Sequence, residues 1–467
     1  MHNSTIAVYG LGPASIFFLR NFFDTDIKIN VYELGKEKDF SKIKTIEKIN
    51  GPIVFFKDNN LERAKGFFGT ASLWEKKGVG GKFFKFDKED FQRWSWPISY
   101  DEVDKNYEEI IEYLNTSLSI NIKKDFQELD IKSFINFSKK ESIQQKKGSQ
   151  TLSYCFGEVI RELKYKIENS KNINIIYNSE LLNFEINKNK NLIKHANIKK
   201  NGKIIKVYAD YHNLSLGCLE SNKVLLDTFK SYPSFIKKNK LGKKLTFHPS
   251  VDIGSFHSSS KISKSFIKKK IHFINEIFGL KFKNLKTKKT GNSVVFFSFE
   301  MSQPKTFLKR IHNKFFGSIN KINVSLAFEH FPSSDCFIEL ADKINNKRKI
   351  MFNIFTSFSD KNLNFAKKEY NKYIKLLNQI EIFGYQFIKK DFLINFETNN
   401  HHHGGLIFGN SSTNPVNKNL QFKTLKNLYI NGSSIFPNSS VYNPTFTIIA
   451  FANRLSNFIH KKIKIRN

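Results

Sequence analysis

The sequence is poor in cysteine and has no long apolar run. Its three cysteines, Cys155, Cys218 and Cys336, are widely spaced and odd in number, which argues against a disulfide framework or a CxxC metal site. No stretch approaches the roughly 18 apolar residues that a membrane-spanning helix needs. The apolar N-terminal stretch, residues 5–19, lacks a preceding basic residue and is interrupted by glycine and proline, so we expect no signal peptide. We predict a globular protein of a reducing compartment, located in the cytoplasm.

Acidic residues are also scarce: 42 of them face 76 basic residues, for a net charge of +34. Such charge attracts nucleic acids and anionic membranes. However, only 8 of the basic residues are arginines, and proteins that recognise nucleic-acid bases favour arginine because its guanidinium group can form two parallel hydrogen bonds. The lysine excess is therefore better explained by a bias of composition. We expect no specific nucleic-acid partner, and at most peripheral membrane contact through the basic tail, Lys461 to Arg466.

The first 33 residues have the pattern of a dinucleotide-binding unit. Residues 6–9 predict a strand, 14–23 an apolar helix and 27–32 a second strand. Small residues stand at Gly10, Gly12 and Ser15, where the turn, the close approach of a diphosphate and the helix packing need them. Pro13 and Ala14 would open a helix whose amides point at phosphate. Glu33, about 20 residues on, could bind a ribose hydroxyl. This unit alone would suit NAD or FAD.

The C-terminal part combines a histidine run with a later Asn-Pro pair. HHHGG occupies residues 401–405, and Asn443-Pro444 precedes an apolar helix. A histidine can accept a proton and an asparagine can bond an oxygen, which suits oxidation of an alcohol. Other interpretations remain open. Asn-Pro is an ordinary helix start, with Asn as cap, and the histidines could form a surface loop or, less readily, a metal cluster, because adjacent side chains on a strand point to opposite faces.

The length of 467 residues suits two domains or one interrupted by insertions. Asp101 should cap a helix that follows WPISY, and alternating runs such as SVVFFSFEM predict an antiparallel sheet. Trp74, Trp94 and Trp96 are expected in the core.

We divide the chain into a first FAD-binding part (1–100), a helix and lysine-rich excursion (101–150), a second FAD-binding part (151–249), a substrate domain (250–396) and a third FAD-binding part (397–467).

Six segments resemble those of the glucose-methanol-choline (GMC) oxidoreductases, closest in motif to the sugar or alcohol dehydrogenase-like members. They are GFFGTASLW, WPISYDEVDKNYEEI, LSLGCLESNKVLL, LGKKLTFHPS, HHHGG and NLYINGSSIFPNSSVYNPTFTIIA. They occur in the family's order and, with the N-terminal unit, the resemblance extends from residue 5 to about 460, whereas 250–395 carries no motif that we recognise. The resemblance implies an α/β fold: a discontinuous Rossmann-like FAD-binding domain with an α+β substrate domain built on an antiparallel sheet.

The resemblance also implies FAD as the cofactor. Leu73 stands where some relatives carry a flavin-linked histidine, so we expect non-covalent FAD. Counting back from Gly404 selects His401 as the base, with His402 second, and Asn443 would bond the substrate oxygen. The cofactor-binding residues implied are Gly10, Gly12, Pro13, Ala14, Ser15, Glu33, Gly69, Thr70, Ser72, Leu182, Gly217, Asn431, Gly432, Asn443, Pro444 and Thr445.

These observations predict an FAD-dependent oxidoreductase that oxidises a CH-OH group of a sugar or other alcohol. A histidine takes the hydroxyl proton while hydride passes to flavin, and an electron acceptor that the sequence does not identify then reoxidises the flavin. Three alternatives stay open: a non-redox or degenerate flavoprotein of the same fold, an NAD(P)-dependent dehydrogenase, and a basic nucleic-acid-binding module.

Overall fold

A computed structural model describes residues 4–36, 43, 45–54, 63–72, 82–83, 85–116, 135–137, 152–153, 156–263, 278–280, 293–301, 318–344, 350–382, 385–392, 396–398 and 401–466. The helices of these residues are α1 Pro13–Leu19, α2 Lys88–Arg93, α3 Tyr100–Thr116, α4 Phe156–Glu168, α5 Gly217–Thr228, α6 Pro233–Lys238, α7 Asp360–Leu377 and α8 Thr445–Arg466. Not one of these described helices combines the length and the apolar character needed to cross a membrane.

The strands are numbered in chain order. Those of the first half are β1 Thr5–Tyr9, β2 Lys28–Tyr32, β3 Ile46–Asn50, β4 Ile53–Val54, β5 Lys82–Phe83, β6 Ile135–Phe137, β7 Leu152–Ser153, β8 Ile173–Ile176, β9 Ser179–Asn187, β10 Leu192–Lys200, β11 Lys203–Val207 and β12 Tyr211–Leu214. Those of the second half are β13 Lys243–Phe247, β14 Ser250–Ser263, β15 Phe278–Leu280, β16 Ser293–Met301, β17 Ser318–Phe328, β18 Phe337–Ile344, β19 Ile350–Phe355, β20 Ile380–Ile382, β21 Gln386–Lys389, β22 Phe396–Glu397, β23 His402–Gly405 and β24 Leu428–Ile430.

A parallel five-stranded sheet, in the order β24-β12-β1-β2-β8, contains the two strands of the predicted dinucleotide-binding unit. Strand β1 is buried from Ile6 to Tyr9, as expected of a central parallel strand that is covered on both faces. All pairs in this sheet are parallel, so the carboxyl ends of the strands meet at one edge. Gly10, Glu33, Ser215 and Asn431 directly follow β1, β2, β12 and β24. This is the edge where ligands bind in open α/β sheets.

The segment from 250 to 396 forms the predicted sheet of alternating runs. Its strands follow the order β15-β16-β17-β14-β22-β4, with β21 also on β14, and its long pairs are antiparallel. It has its own apolar cluster, which includes Ile253, Val324 and Tyr373. The predicted fold class is therefore confirmed, with a Rossmann-like sheet joined to an α+β part. The five domain boundaries stay a prediction.

A second five-stranded sheet, β23-β13-β18-β19-β3, joins the histidine strand β23 to β13. Phe247 pairs with His402 in this antiparallel register. The sheet thus brings the end of β13 beside the start of β23.

Two local expectations were wrong. Helix α3 begins at Tyr100, one residue before Asp101, and the Ser99 hydroxyl rather than the Asp101 carboxylate accepts the amide of Glu102 at 3.1 Å. The apolar pattern from Ile204 to Leu216 predicts a single strand, but the structure has two, because β11 pairs antiparallel with β10 and β12 pairs in parallel with β1.

The tryptophans behave as predicted where they are described. Trp96 is 7% exposed and packs on Phe91 and Phe436, and Trp94 packs on Phe331. Trp74 and the flavin-linkage position Leu73 lie outside the described residues.

Candidate active site

A cavity at the carboxyl edge of the parallel sheet is lined from both ends of the chain. Its walls come from the turn between β1 and α1, the end of β2, residues 43, 45, 63–65 and 69–71, and the beginnings of β9, α5, β23 and α8. Thirteen predicted site residues line it: Gly10, Gly12, Pro13, Ala14, Glu33, Gly69, Thr70, Gly217, His401, His402, Gly432, Pro444 and Thr445.

The glycine turn after β1 is shaped by backbone bonds. Gly10 has φ +88°, and a Cβ there would lie 2.8 Å from the carbonyl oxygen of Ser215, so only glycine fits. Gly12 has φ −85°, and a Cβ would meet nothing within 4 Å because it points into open space. The Ser15 hydroxyl donates to the Gly10 carbonyl at 2.6 Å, and Ser15 does not line the cavity. Gly10 and Ser15 thus hold the turn, and Gly12 leaves room above it.

The Glu33 carboxylate holds three backbone segments together at the end of β2. Its Oε1 accepts the amides of Gly35 at 2.7 Å and Gly66 at 2.9 Å, and its Oε2 accepts the amide of Leu11 at 2.9 Å. Burial raises the pKa of Glu33, and these amides oppose that rise. A carboxylate oxygen has two lone pairs, so Oε2 can accept one more donor, such as a ribose hydroxyl.

The loop from Ala64 to Ser72 forms the wall opposite the glycine turn. Gly69 has φ +54°, and a Cβ there would lie 3.7 Å from the Cα of Gly12. The Thr70 hydroxyl accepts the amide of Ala64 at 3.0 Å, and the Ser72 hydroxyl donates to the Gly69 carbonyl at 2.7 Å. Gly69 and Thr70 line the cavity, whereas Ser72 stabilises the loop from behind.

Gly432 completes the wall near α5. It has φ +135°, and its Cβ would lie 4.0 Å from the Cα of Gly217. Asn431 is fully buried outside the lining, where its Nδ2 donates to the Ala14 carbonyl at 3.1 Å. Asn431 thus ties the Gly432 turn to α1. Leu182 also lies outside the lining, whereas its neighbour Leu181 is in it.

The three histidines have different surroundings. His401 and His402 line the cavity, and His403 does not. His403 is fully buried and stacks on Phe436 with ring centroids 5.8 Å apart. Among the described residues, neither ring nitrogen of His403 has a hydrogen-bond partner. His403 is therefore a core side chain, while the two others face the cavity.

Burial keeps both cavity histidines neutral. It lowers the pKa of His401 to about 4. Burial, followed by the positive charge of Arg63, lowers the pKa of His402 to about 3. A neutral imidazole has a lone pair that can accept a proton. No group of three or more potential metal ligands occurs among the described residues.

His401 has a histidine partner. Its Nδ1 lies 3.0 Å from the Nδ1 of His248, and the rings stack with centroids 5.2 Å apart. Since Nδ1 is occupied in this way, Nε2 is the ring nitrogen left for the cavity.

Asn443 does not line the cavity, although the next two residues do. Asn443 is half-buried, and α8 begins two residues later, at Thr445. The Pro444 carbonyl accepts the amide of Ile448 at 2.8 Å, which closes the first helical turn. The structure thus brings the segment of Asn443, but not its side chain, to the cavity wall.

A buried charge cluster on the cavity wall was not predicted. Glu220 forms ion pairs with Arg63 and, at 3.2 Å, with Lys223, and it accepts a hydrogen bond from Thr45. Burial raises the pKa of Glu220, but the charges of Lys223 and Arg63 outweigh it and bring the pKa to about 2. All four residues line the cavity. Glu220 and Lys223, three apart just after Gly217, were the available sequence signal, because residues with this spacing share a helix face.

Comparisons with known proteins agree with this geometry. Residues 332–452 match the family model of the GMC oxidoreductases, a segment that includes the histidine run and Asn443. No curated protein sequence matches the chain significantly. The solved structure of pyridoxine 4-oxidase from Mesorbium loti superposes with a TM-score of 0.70 and 14% identity, covering 98% of this chain and 99% of that one. The family match supports an oxidoreductase acting on CH-OH donors, and the superposition shows the fold. The predicted resemblance to the GMC oxidoreductases is thus confirmed, by sequence over residues 332–452 and by fold over nearly the whole chain.

Proposed function

We propose that this protein is an FAD-dependent oxidoreductase that oxidises the CH-OH group of an alcohol or sugar, with His401 as the base. One observation carries the proposal: the glycine turn at residues 10–14 and the histidines at 401–402 line a single cavity. The first feature suits a dinucleotide and the second suits removal of a hydroxyl proton. They are nearly 390 residues apart in the sequence, so their meeting is a property of the fold.

The residues present fit FAD. The open space above Gly12 leaves room for a diphosphate, and the remaining lone pair of Glu33 Oε2 can accept a ribose hydroxyl. Gly69 and Gly432, which line the walls further along, leave the backbone accessible to the rest of the cofactor. When bound, FAD supplies the acceptor for hydride.

His401 is the better candidate for the base. Its Nδ1 is held by His248, which leaves Nε2 as the ring nitrogen to which a substrate hydroxyl can donate its proton. His402 lies nearer to the charge of Arg63, which disfavours a second positive charge. Asn443 would bond the substrate oxygen after a rotation of its half-buried side chain.

The test is the visible spectrum of the purified protein, followed by addition of alcohols without oxygen. We expect a flavin spectrum that is bleached by a subset of primary alcohols and sugars. Pyridoxine belongs in the panel because the superposed structure is a pyridoxine 4-oxidase. Acid precipitation should release the flavin into solution, since we propose that it is held non-covalently. Readmission of oxygen then distinguishes an oxidase from a dehydrogenase that needs another acceptor.

Each alternative gives a different result. A flavin spectrum that no alcohol bleaches would favour a non-redox flavoprotein of the same fold. A colourless protein that oxidises alcohols only with added nicotinamide would refute FAD in favour of NAD(P). A colourless protein whose nucleic-acid affinity falls steeply with salt would point to the basic binding module.

A further inference from the structure

The segment 438–442 leads directly to Asn443 and forms neither helix nor strand. Its first three residues, Asn438, Ser439 and Ser440, are nevertheless completely buried. Buried polar groups need hydrogen-bond partners, and a segment outside regular structure must find them in other parts of the chain. The partners of these side chains therefore show what holds the segment in place.

Two completely buried carboxylates bind the segment from different parts of the chain. Glu329, which directly follows β17, accepts a hydrogen bond from the Nδ2 of Asn438 at 3.0 Å. Asp90, in α2, accepts one from the Ser440 hydroxyl at 2.6 Å. Arg93 bridges the two acids, because its Nη2 lies 2.8 Å from Asp90 and 3.0 Å from Glu329. The segment is thus held at two points by charged groups, whose hydrogen bonds are stronger than neutral ones.

Two tryptophans complete this network. The Nε1 of Trp94 donates to the Glu329 carboxylate, and the Nε1 of Trp96 donates to the Oδ1 of Asn438 at 2.8 Å. The amide of Asn438 is thereby bonded through both its nitrogen and its oxygen. Burial of three charged groups costs desolvation free energy, so such a cluster is weak evidence for stability. Its directed bonds instead define one position of the segment.

Ser440 is held in a conformation that it would not adopt by preference. Its φ is +54°, in the left-handed region that is unfavourable for residues other than glycine. Such a conformation persists only where the surroundings enforce it, and enforced conformations cluster at functional sites. The hydrogen bond to Asp90 supplies this enforcement three residues before Asn443.

We propose that Asp90, Arg93 and Glu329 are positioning residues that keep Asn443 within reach of the substrate oxygen, acting through the segment 438–442. None of the three lines the cavity, so they act on the segment and not on a ligand. The Asn443 side chain has to rotate to reach the cavity, and a fixed backbone limits the positions from which it does so. This inference rests on the proposed function in one respect, that Asn443 bonds the substrate oxygen.

The test is a double-mutant cycle of Ser440→Gly and Asn443→Ala in the flavin-bound enzyme. Ser440→Gly removes the bond to Asp90, but glycine accepts the positive φ, so the protein should unfold within about 2–4 °C of the wild type. We expect the rate of anaerobic flavin reduction by an alcohol to fall about 10- to 100-fold and FAD affinity to be retained. In Asn443→Ala the same glycine should change the rate little, because the positioned amide is already absent.

Two further variants separate the lost bond from other effects. Ser440→Ala loses the same hydroxyl without the flexibility of glycine, and its fall in rate should depend on Asn443 in the same way. Trp94→Phe is the matched control, because it removes one donor from Glu329 and leaves both bonds to the segment in place. Its rate of flavin reduction should be close to that of the wild type.

Hydrogen exchange of the apoprotein gives a readout that needs neither flavin nor substrate. The backbone amides of residues 438–442 should exchange about 10-fold faster in Ser440→Ala than in the wild type, and at the wild-type rate in Trp94→Phe. Unchanged exchange in Ser440→Ala, or an equal loss of flavin reduction with and without the Asn443 side chain, would overturn the proposal. Wild-type flavin that no alcohol bleaches would instead reject the proposed function, and the exchange rates would still test whether the network holds the segment.

Discussion

Substitution of Gly12 by alanine should separate cofactor binding from folding. Gly12 has φ −85° and ψ −176°, which alanine adopts without strain, and a Cβ there would meet no protein atom within 4 Å. Without cofactor, Gly12→Ala should be as stable as the wild type or more stable by about 0.4–1 kcal/mol. If a diphosphate lies above this turn, however, the added methyl group occupies its space.

The loss of affinity can be estimated from the cost of overpacking. One forced contact costs about 1–3 kcal/mol, and since 1.4 kcal/mol is a factor of ten, FAD should bind about 5- to 150-fold more weakly. The assay is flavin titration of the apoprotein, combined with thermal unfolding of the same sample. Unchanged FAD affinity in a folded Gly12→Ala protein would refute the location of the diphosphate.

Two other glycines provide controls. Gly202 lies outside the cavity lining and has φ +82° with no atom within 4 Å of its Cβ position, so Gly202→Ala should cost about 1–2 kcal/mol of stability and leave FAD affinity unchanged. Gly10→Ala should impair both properties, because its Cβ would collide with Ser215.

Three further predictions concern the polar groups. Glu33→Gln places an amide NH₂ or a lone carbonyl oxygen against three backbone donors. The free energy of unfolding in urea should therefore decrease by about 1–3 kcal/mol, and FAD should bind more weakly. Full retention of both stability and FAD affinity would contradict the role of Glu33. Ser15→Ala should cost only about 0.5–1.5 kcal/mol and keep FAD affinity, since the hydroxyl faces the Gly10 carbonyl; a large loss of flavin would place Ser15 in the site after all. Burial lowers the pKa of His330 in the folded protein to about 4. Below the unfolded pKa of about 6.5, the unfolded state therefore binds more protons than the folded state, and the free energy of unfolding decreases as the pH is lowered. Between pH 7 and 5 this histidine should account for about 2 kcal/mol, and His330→Gln should reduce the pH dependence of the unfolding free energy by that amount; an unchanged dependence would reject the assignment.

The sequence predicted those parts of the fold that have local signals. The turn between β1 and α1 was located because positive φ at Gly10 and the strand-helix alternation both leave marks in neighbouring residues. The antiparallel part was recognised from alternating runs such as SVVFFSFEM in β16, and in β17 the alternation corresponds to burial of Ile322, Val324 and Leu326. In each case the structural cause lies within about ten residues of the signal.

Features that depend on distant pairing were missed or misplaced. Glu220 is paired with Arg63, 157 residues away, and nothing local indicates that the two charges meet. The sequence alone assigns His248 no role beyond structure, since the register of β13 and β23 is what brings it to His401. Leu181 rather than the predicted Leu182 lines the cavity, and a shift of one residue along a strand selects the opposite face.

The central claim is that one cavity holds flavin and a histidine base, and single-turnover flavin reduction in His401→Gln and His402→Gln tests it most directly. His402 is buried and His401 half-buried, and the two are adjacent in the cavity wall, so each variant is the matched control of the other. We predict that both bind FAD, and that reduction by the best alcohol slows by about 10²- to 10⁴-fold in His401→Gln and far less in His402→Gln. Equal rates in His401→Gln and the wild type would contradict the account.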